Sequence, residues 1–167
     1  MFSVELVPDD AVDRAVREDW THLIDAGLPS SGRNPAPSNR PHVTLAVREH
    51  IDPRELEGIA DLLPLPLELG GVLLFGRSPR LVLTRQVVPV AALLAFHAEV
   101  AWRIGPPEPH YANTAPDRWS PHMTLARGLD PERLALALRA VQLGHARGHA
   151  VGLRVWDASA KQVTTLR

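Results

Sequence analysis

Pro41-His42-Val43-Thr44-Leu45-Ala46 and Pro121-His122-Met123-Thr124-Leu125-Ala126 are one six-residue frame written twice, eighty positions apart, with a single position changed. Each copy has the composition of a strand, in which residues two apart share a face. His42 therefore stands beside Thr44, and His122 beside Thr124, about 7 Å apart along the backbone. Each frame is followed by an Asp-Pro pair that suits a helix start, Asp52-Pro53 and Asp130-Pro131, and then by further strand patterns. A repeat in matching local contexts predicts two related half-units sharing one core. An approximate two-fold between them would let the two strands lie in one central surface, their His-Thr faces converging on one cleft.

The flanking sequence supplies the rest of each half. Phe2 to Val7 alternates and stops at Pro8, as a strand does. From Asp9 the apolar residues Val12, Val16, Trp20 and Leu23 recur at steps of three and four, with an acidic N-cap and Gly27 as the stop, which predicts a helix. Leu28 to Asn39 reads as a long loop and Pro41 to Val47 as a strand. Asp52 to Leu63 reads as a helix, and Leu65 to Phe75 and Arg80 to Val88 as strands joined by Gly76-Arg77-Ser78-Pro79. Pro89 to Ile104 is a further helix. A second Pro-rich loop, Gly105 to Arg118, precedes a strand from Trp119 to Arg127. A helix from Asp130 to about Val141 follows, and Ala150 to Trp156 with Gln162 to Leu166 form a closing hairpin.

A length of 167 residues predicts one domain spanning 1–167, made of the two related lobes, and 45% hydrophobic against 22% charged residues is the balance of a globular chain. Eighteen basic against nineteen acidic side chains exclude the broad positive surface of a protein that coats nucleic acid without specificity. There is no cysteine, so thiol nucleophiles, thiolate metal sites and disulfides are excluded, and a reducing, cytoplasmic setting is expected. No leader-like or membrane-spanning run is expected from the pattern. No Gly-rich loop for triphosphates and no Gly-x-Ser-x-Gly elbow occurs. His145 and His149 are spaced like zinc ligands, but Gly144 and Gly148 argue against the helix such a pair needs.

Two imidazoles flanking one group suit phosphodiester chemistry. One must take a proton from the attacking oxygen and one must give a proton to the departing oxygen, and histidine serves either role near neutrality. Threonine hydroxyls between them would donate to the non-bridging phosphate oxygens, with no metal or cofactor required.

The twin His-x-Thr frames, their separation, the first strand ending in Pro and the run Trp119-Ser120-Pro121-His122-Met123-Thr124-Leu125-Ala126-Arg127 resemble the 2H phosphoesterase superfamily, in its 2′-5′ RNA ligase-like branch. The resemblance spans nearly the whole chain. It implies a bilobal, pseudo-two-fold α+β fold of mostly antiparallel sheets around a central groove, with helices outside. It implies metal-independent hydrolysis of a 2′,3′-cyclic phosphodiester on an RNA end or small nucleotide, with His42 and His122 as acid and base and Thr44 and Thr124 on the phosphate. A small nucleotide or an RNA terminus is the expected partner, with no membrane and no evident protein partner. A nucleotide-binding module without turnover, and a 2′-5′ RNA ligase, are the alternatives.

Arg127 stands where the family often places a groove arginine, although its odd spacing from His122 puts it on the opposite face of an ideal strand. Trp119 and Tyr111 border the second frame as stacking platforms for a base, or in the case of Trp119 as core filling. Phe2 has the same two readings. Arg33 and Arg40 are loop charges that either approach a phosphate or stay solvated.

Overall fold

The computed structural model describes residues 1–167. β1 (Phe2–Pro8) leads into α1 (Asp10–Asp25), and a long loop with one 3-10 turn at Ser31–Arg33 leads to β2 (Val43–Arg48). Two further 3-10 turns, Pro53–Leu56 and Ile59–Leu62, connect β2 to β3 (Leu65–Arg77), which folds back as β4 (Arg80–Val87). Then come α2 (Ala91–Arg103), a 3-10 segment (Pro109–Thr114), β5 (His122–Leu129), α3 (Pro131–Ala140), β6 (Ala146–Asp157) and β7 (Gln162–Thr165). All seven strands belong to one sheet and every pairing is antiparallel.

The strand order β2-β1-β6-β3-β4-β5, with β7 added on β6, contains the duplication. Exchanging β1 with β4, β2 with β5 and β3 with β6 returns the same order read backwards. The pseudo-two-fold passes between β3 and β6, which pair from Leu65 with Ala150 to Leu69 with Ala146. Each half also contributes its last strand to the other, β6 lying against β1 and β3 against β4. In one respect the expectation from sequence needs correcting. β2 and β5 do not lie side by side in a central surface; they are the opposite ends of the β2-to-β5 order, and the sheet curls until they approach each other.

Local chemistry accounts for the elements. In α1, Val12, Val16, Trp20 and Leu23 are buried on one stripe, Asp9 accepts from Val12 N at the N-cap, and Gly27 takes a left-handed φ of 73° beyond the last turn. The helix expected over Asp52–Leu63 is instead the pair of 3-10 turns. Gly58, at φ 77°, breaks the ladder between them, and Leu56 and Ile59 on either side point into the core. Asp52 still caps the first turn through Arg54 N, so the start signal was real although the helix is not. The core is one cluster of 32 buried apolar residues drawn from both halves, and no helix is long and apolar enough to cross a membrane.

Candidate active site

The two frames start their strands in the same way. Pro41 and Pro121 favour an extended backbone at Arg40 and Ser120, and each imidazole folds back onto the carbonyl of that residue. His42 Nδ1 lies 2.8 Å from Arg40 O, and His122 Nδ1 lies 2.7 Å from Ser120 O. A carbonyl only accepts, so Nδ1 carries the hydrogen in both rings. Nε2 is left to exchange a proton, as a lone pair when the ring is neutral and a donor when it is cationic. Burial follows one pattern in both frames, with Val43, Leu45 and Ala46, or Met123, Leu125 and Ala126, turned inward, and the histidine and threonine half-buried.

Tryptophans strap the two strands across the cleft. Trp20 on α1 donates from Nε1 to Thr124 O, and Trp119 donates from Nε1 to Thr44 O, both at 2.9 Å. Each strap runs from one half to the threonine of the other. His97 of α2 adds a third tie, its Nε2 lying 2.9 Å from Leu45 O and 3.1 Å from Thr114 O, while its ring stacks on Trp119 at 3.9 Å. Outward-facing carbonyls of the two end strands are thereby satisfied by side chains rather than by another strand.

Two hollows open beside the histidines, and Arg127 borders both. One, of about 340 Å³, is lined by His122, Thr44, Phe75, Trp119, Val47, Val82, Asn113, Thr114, Arg118 and Ser120. The other, of about 280 Å³, is lined by His42, Thr124, Trp20, Ser30, Ser31, Asn34, Asn39 and Pro41. Each joins a histidine of one half to the threonine of the other. A larger depression of about 440 Å³ lies on the outer side of α1, lined by Asp13, Arg14, Arg17 and their neighbours without one apolar side chain, and it is open helix surface.

Arg127 reaches the cleft because β5 is bulged. Against β4, Thr124 pairs with Thr84 but Ala126 already pairs with Leu83, so Leu125 is an extra residue and the alternation changes phase. Arg127 then shares the face of Thr124 and donates from Nη2 to its Oγ1 at 3.4 Å. β2 carries the same bulge at Leu45, which turns Val47 to the cleft in the corresponding place.

Of the other expected residues, Trp119 is both a strap and a hollow wall. Tyr111 borders neither hollow: it sits on the 3-10 segment with its hydroxyl on Glu49 at 3.2 Å, among exposed side chains. Phe2 packs edge-on against His50 at 5.3 Å, Arg40 pairs with Asp13 at 3.5 Å, and Arg33 donates to Leu28 O and Ile24 O.

The structure adds residues that the frames did not reveal. Phe75 packs on the His122 ring at 4.6 Å. Glu5, 4% exposed, accepts from Ser3 Oγ at 2.8 Å and from Arg154 Nε at 2.8 Å and Nη2 at 2.7 Å, and its Oε1 stands 3.7 Å from His42 Nε2. A charged residue in the middle of β1 was the available signal for it. Burial pushes the His122 imidazole below its ordinary value against the opposing bond to Ser120 O, and the nearby charges of Arg127 and of His42 push it lower. Nowhere do three His, Asp or Glu side chains gather as metal ligands do.

The model of a family described as the 2′-5′ RNA ligase superfamily matches residues 8–160. No curated protein matches the chain in sequence. Among solved structures, Usb1 of Kluyveromyces marxianus superposes with a TM-score of 0.52 at 13% identity, covering 99% of this chain and 96% of that one. Usb1 of the same organism with uridine monophosphate gives 0.52 at 16% identity, covering 99% and 97%. At such identities the likeness is one of fold.

Proposed function

The chain belongs to the 2′-5′ RNA ligase superfamily, and on that basis we propose that its cleft hydrolyses a 2′,3′-cyclic phosphodiester on a small nucleotide or an RNA end, without a metal. What carries this is the pair of identically anchored imidazoles, each with Nδ1 tied to a carbonyl two residues back, beside hollows that also hold Thr44, Thr124 and Arg127. Water attacks phosphorus as one Nε2 removes its proton. The P–O bond to one ribose oxygen breaks as the other Nε2 protonates that oxygen, and the product is a phosphate monoester with a free neighbouring hydroxyl. The threonine hydroxyls and the Arg127 guanidinium suit the non-bridging oxygens, where charge builds in the transition state. A nucleotide in the cleft also accords with the Usb1 neighbour described with uridine monophosphate.

Two hollows meeting at Arg127 favour a second use of the same groups, the joining of two RNA ends, in which a 5′-hydroxyl takes the place of water in attacking the cyclic phosphate and the 3′-oxygen leaves to give a 2′-5′ bond. Turnover of a panel of 2′,3′-cyclic nucleotides and cyclic-phosphate RNA ends in EDTA tests the main proposal, with 2′-5′-linked product sought from paired ends. His42→Ala and His122→Ala should each lower kcat/KM at least about 100-fold, the loss expected of a general acid or base. Nucleotide binding with no turnover of any panel member would replace the enzyme with a binding module.

A further inference from the structure

The wall of the His122 hollow continues outward along the β3–β4 hairpin. Leu73, Thr84 and Thr124 pair in one row across β3, β4 and β5, and Phe75, Val82 and Arg127 pair in the next. Two residues further out, Arg77 pairs with Arg80. Residues two apart on a strand share a face, so the arginine pair stands on the face that lines the hollow, about 14 Å from the threonine row. Both arginines are exposed. The chain has no acidic residue from Leu69 to Ala98 and none in β5. Of the acids that flank β5, Asp117 faces Arg118 at 3.9 Å and Asp130 caps α3 through Arg133 N. Like charges placed directly opposite destabilise a strand pair. An unrelieved pair of guanidinium groups costs the hairpin and attracts an anion.

The fold does not require this charge. Under the pseudo-two-fold the row of Phe75 and Val82 corresponds to Trp156 and Ser3, and the arginine row to Ala158 and Met1, where Ala158 N donates to Met1 O at 3.1 Å. The charges around that matched end are mixed: Glu49, Asp157 and Lys161, with the Met1 ammonium 3.9 Å from Glu49. Only the second half carries its cations unmixed from the cleft to the hairpin tip.

Resting on the phosphodiesterase proposal, we infer that the β3–β4 hairpin is a track for the backbone of single-stranded RNA. The terminal nucleoside with its cyclic phosphate occupies the cleft at the His122 hollow, and the strand 5′ to it leaves past Arg118 and along Arg77 and Arg80. The substrate is then an RNA end in preference to a free cyclic mononucleotide. The hollow itself is walled by Phe75, Trp119, Val47 and Val82 and ends short of the arginine pair, so a mononucleotide seated in it leaves both guanidinium groups unused. A longer strand brings a phosphate with each nucleotide, and guanidinium forks match phosphate oxygens. With a net charge of -1 for the whole chain, the attraction is confined to this end of the molecule.

The test compares two substrates in the wild type and in the double variant Arg77→Ala with Arg80→Ala. One is a 2′,3′-cyclic mononucleotide; the other is a short single-stranded RNA with the same terminal base and a 2′,3′-cyclic phosphate. The wild type should turn over the RNA with the higher kcat/KM, and that advantage should shrink as salt rises, since phosphate contacts release counterions. The double variant should lose roughly 3- to 30-fold on the RNA, through KM, as two exposed ion pairs predict, and keep its kcat/KM on the mononucleotide. Its logarithmic salt slope on the RNA should flatten by about 1.4, two contacts at about 0.7 each. Arg77→Lys with Arg80→Lys keeps the charge and should keep most of the advantage. Equal losses on both substrates would make the hairpin a structural support of the cleft and overturn the inference. An RNA no better than the mononucleotide in the wild type, or a loss on RNA with an unchanged salt slope, overturns it as well. Should the wild type turn over neither substrate, the proposed function fails by itself. Binding of a fluorescent RNA ending in a 3′-phosphate, over the same salt series, then decides the track: weaker binding with a flatter slope in the double variant supports it, and equal binding overturns it.

Discussion

Arg127 offers both charge and shape to the cleft. Its guanidinium donates to Thr124 Oγ1 at 3.4 Å, and it borders both hollows while remaining exposed. A fork of this kind meets two phosphate oxygens at once, which an ammonium does not. Arg127→Ala should therefore lower kcat/KM about 10- to 100-fold, the scale of hydrogen bonds to a charged group, with Arg127→Lys recovering only part of the loss. As a side chain on the surface it should leave the thermal midpoint almost unchanged. Full recovery in the Lys variant would show that charge alone matters, and a fallen midpoint would make the residue structural. The position also marks how far single residues could be read. His42, Thr44, His122 and Thr124 were legible because i and i+2 share a face, a rule that needs only the strand itself. Arg127 was not legible by that rule, since its side depends on the bulge at Leu125, and the bulge shows only against β4. Glu5 was hidden for a related reason: its meaning comes from Arg154, which is 149 positions away in sequence.

Among the elements, β2 and β5 depend most on side chains from elsewhere. Their outward carbonyls meet indole and imidazole donors rather than a neighbouring strand, and those donors come from α1, α2 and the segment before β5. Trp20→Phe and Trp119→Phe remove the N–H while keeping an aromatic ring. Each should cost about 1–3 kcal/mol of stability, read as a lower denaturant midpoint at unchanged slope. Because the straps set the separation of the two threonines, each should also lower kcat/KM at least about tenfold, as displaced catalytic groups do. Lost stability with intact turnover would mean that the straps hold the fold but not the cleft. The straps were not legible in advance, since nothing local to Trp20 or Trp119 names a carbonyl 104 or 75 positions away. Helices with their own caps were legible, α1 and α3 above all, each with an aspartate accepting from the first turn. The stretch Asp52–Leu63 carried the same start signal and still failed as a helix, because Gly58 turns left-handed and tertiary burial of Leu56 and Ile59 outweighs local preference.

For the whole molecule, the consequence of joining the halves through polar ties is a pH-dependent stability. His97 is 1% exposed and binds Leu45 O and Thr114 O, so it links α2 to β2 and to the 3-10 segment before β5. Burial pushes its imidazole below the ordinary value of 6.5, with the Arg48 charge adding to the shift and the two carbonyls opposing it. His122 is pushed in the same direction, chiefly by burial. Above about pH 6.5 both rings are neutral whether the chain is folded or not, and they impose no penalty. As the pH falls through 6.5 the unfolded chain takes up protons that the folded chain resists, so stability is lost until the depressed folded values are reached. The carboxylates act in a separate window: Asp52, held down to about 2 by hydrogen bonds from Arg54, titrates well below these rings. The thermal midpoint should therefore fall between pH 7 and 5. In His97→Gln, whose amide can still donate but does not titrate, the fall should be shallower. Parallel curves for the two proteins would remove His97 as the cause and leave the decline to His122.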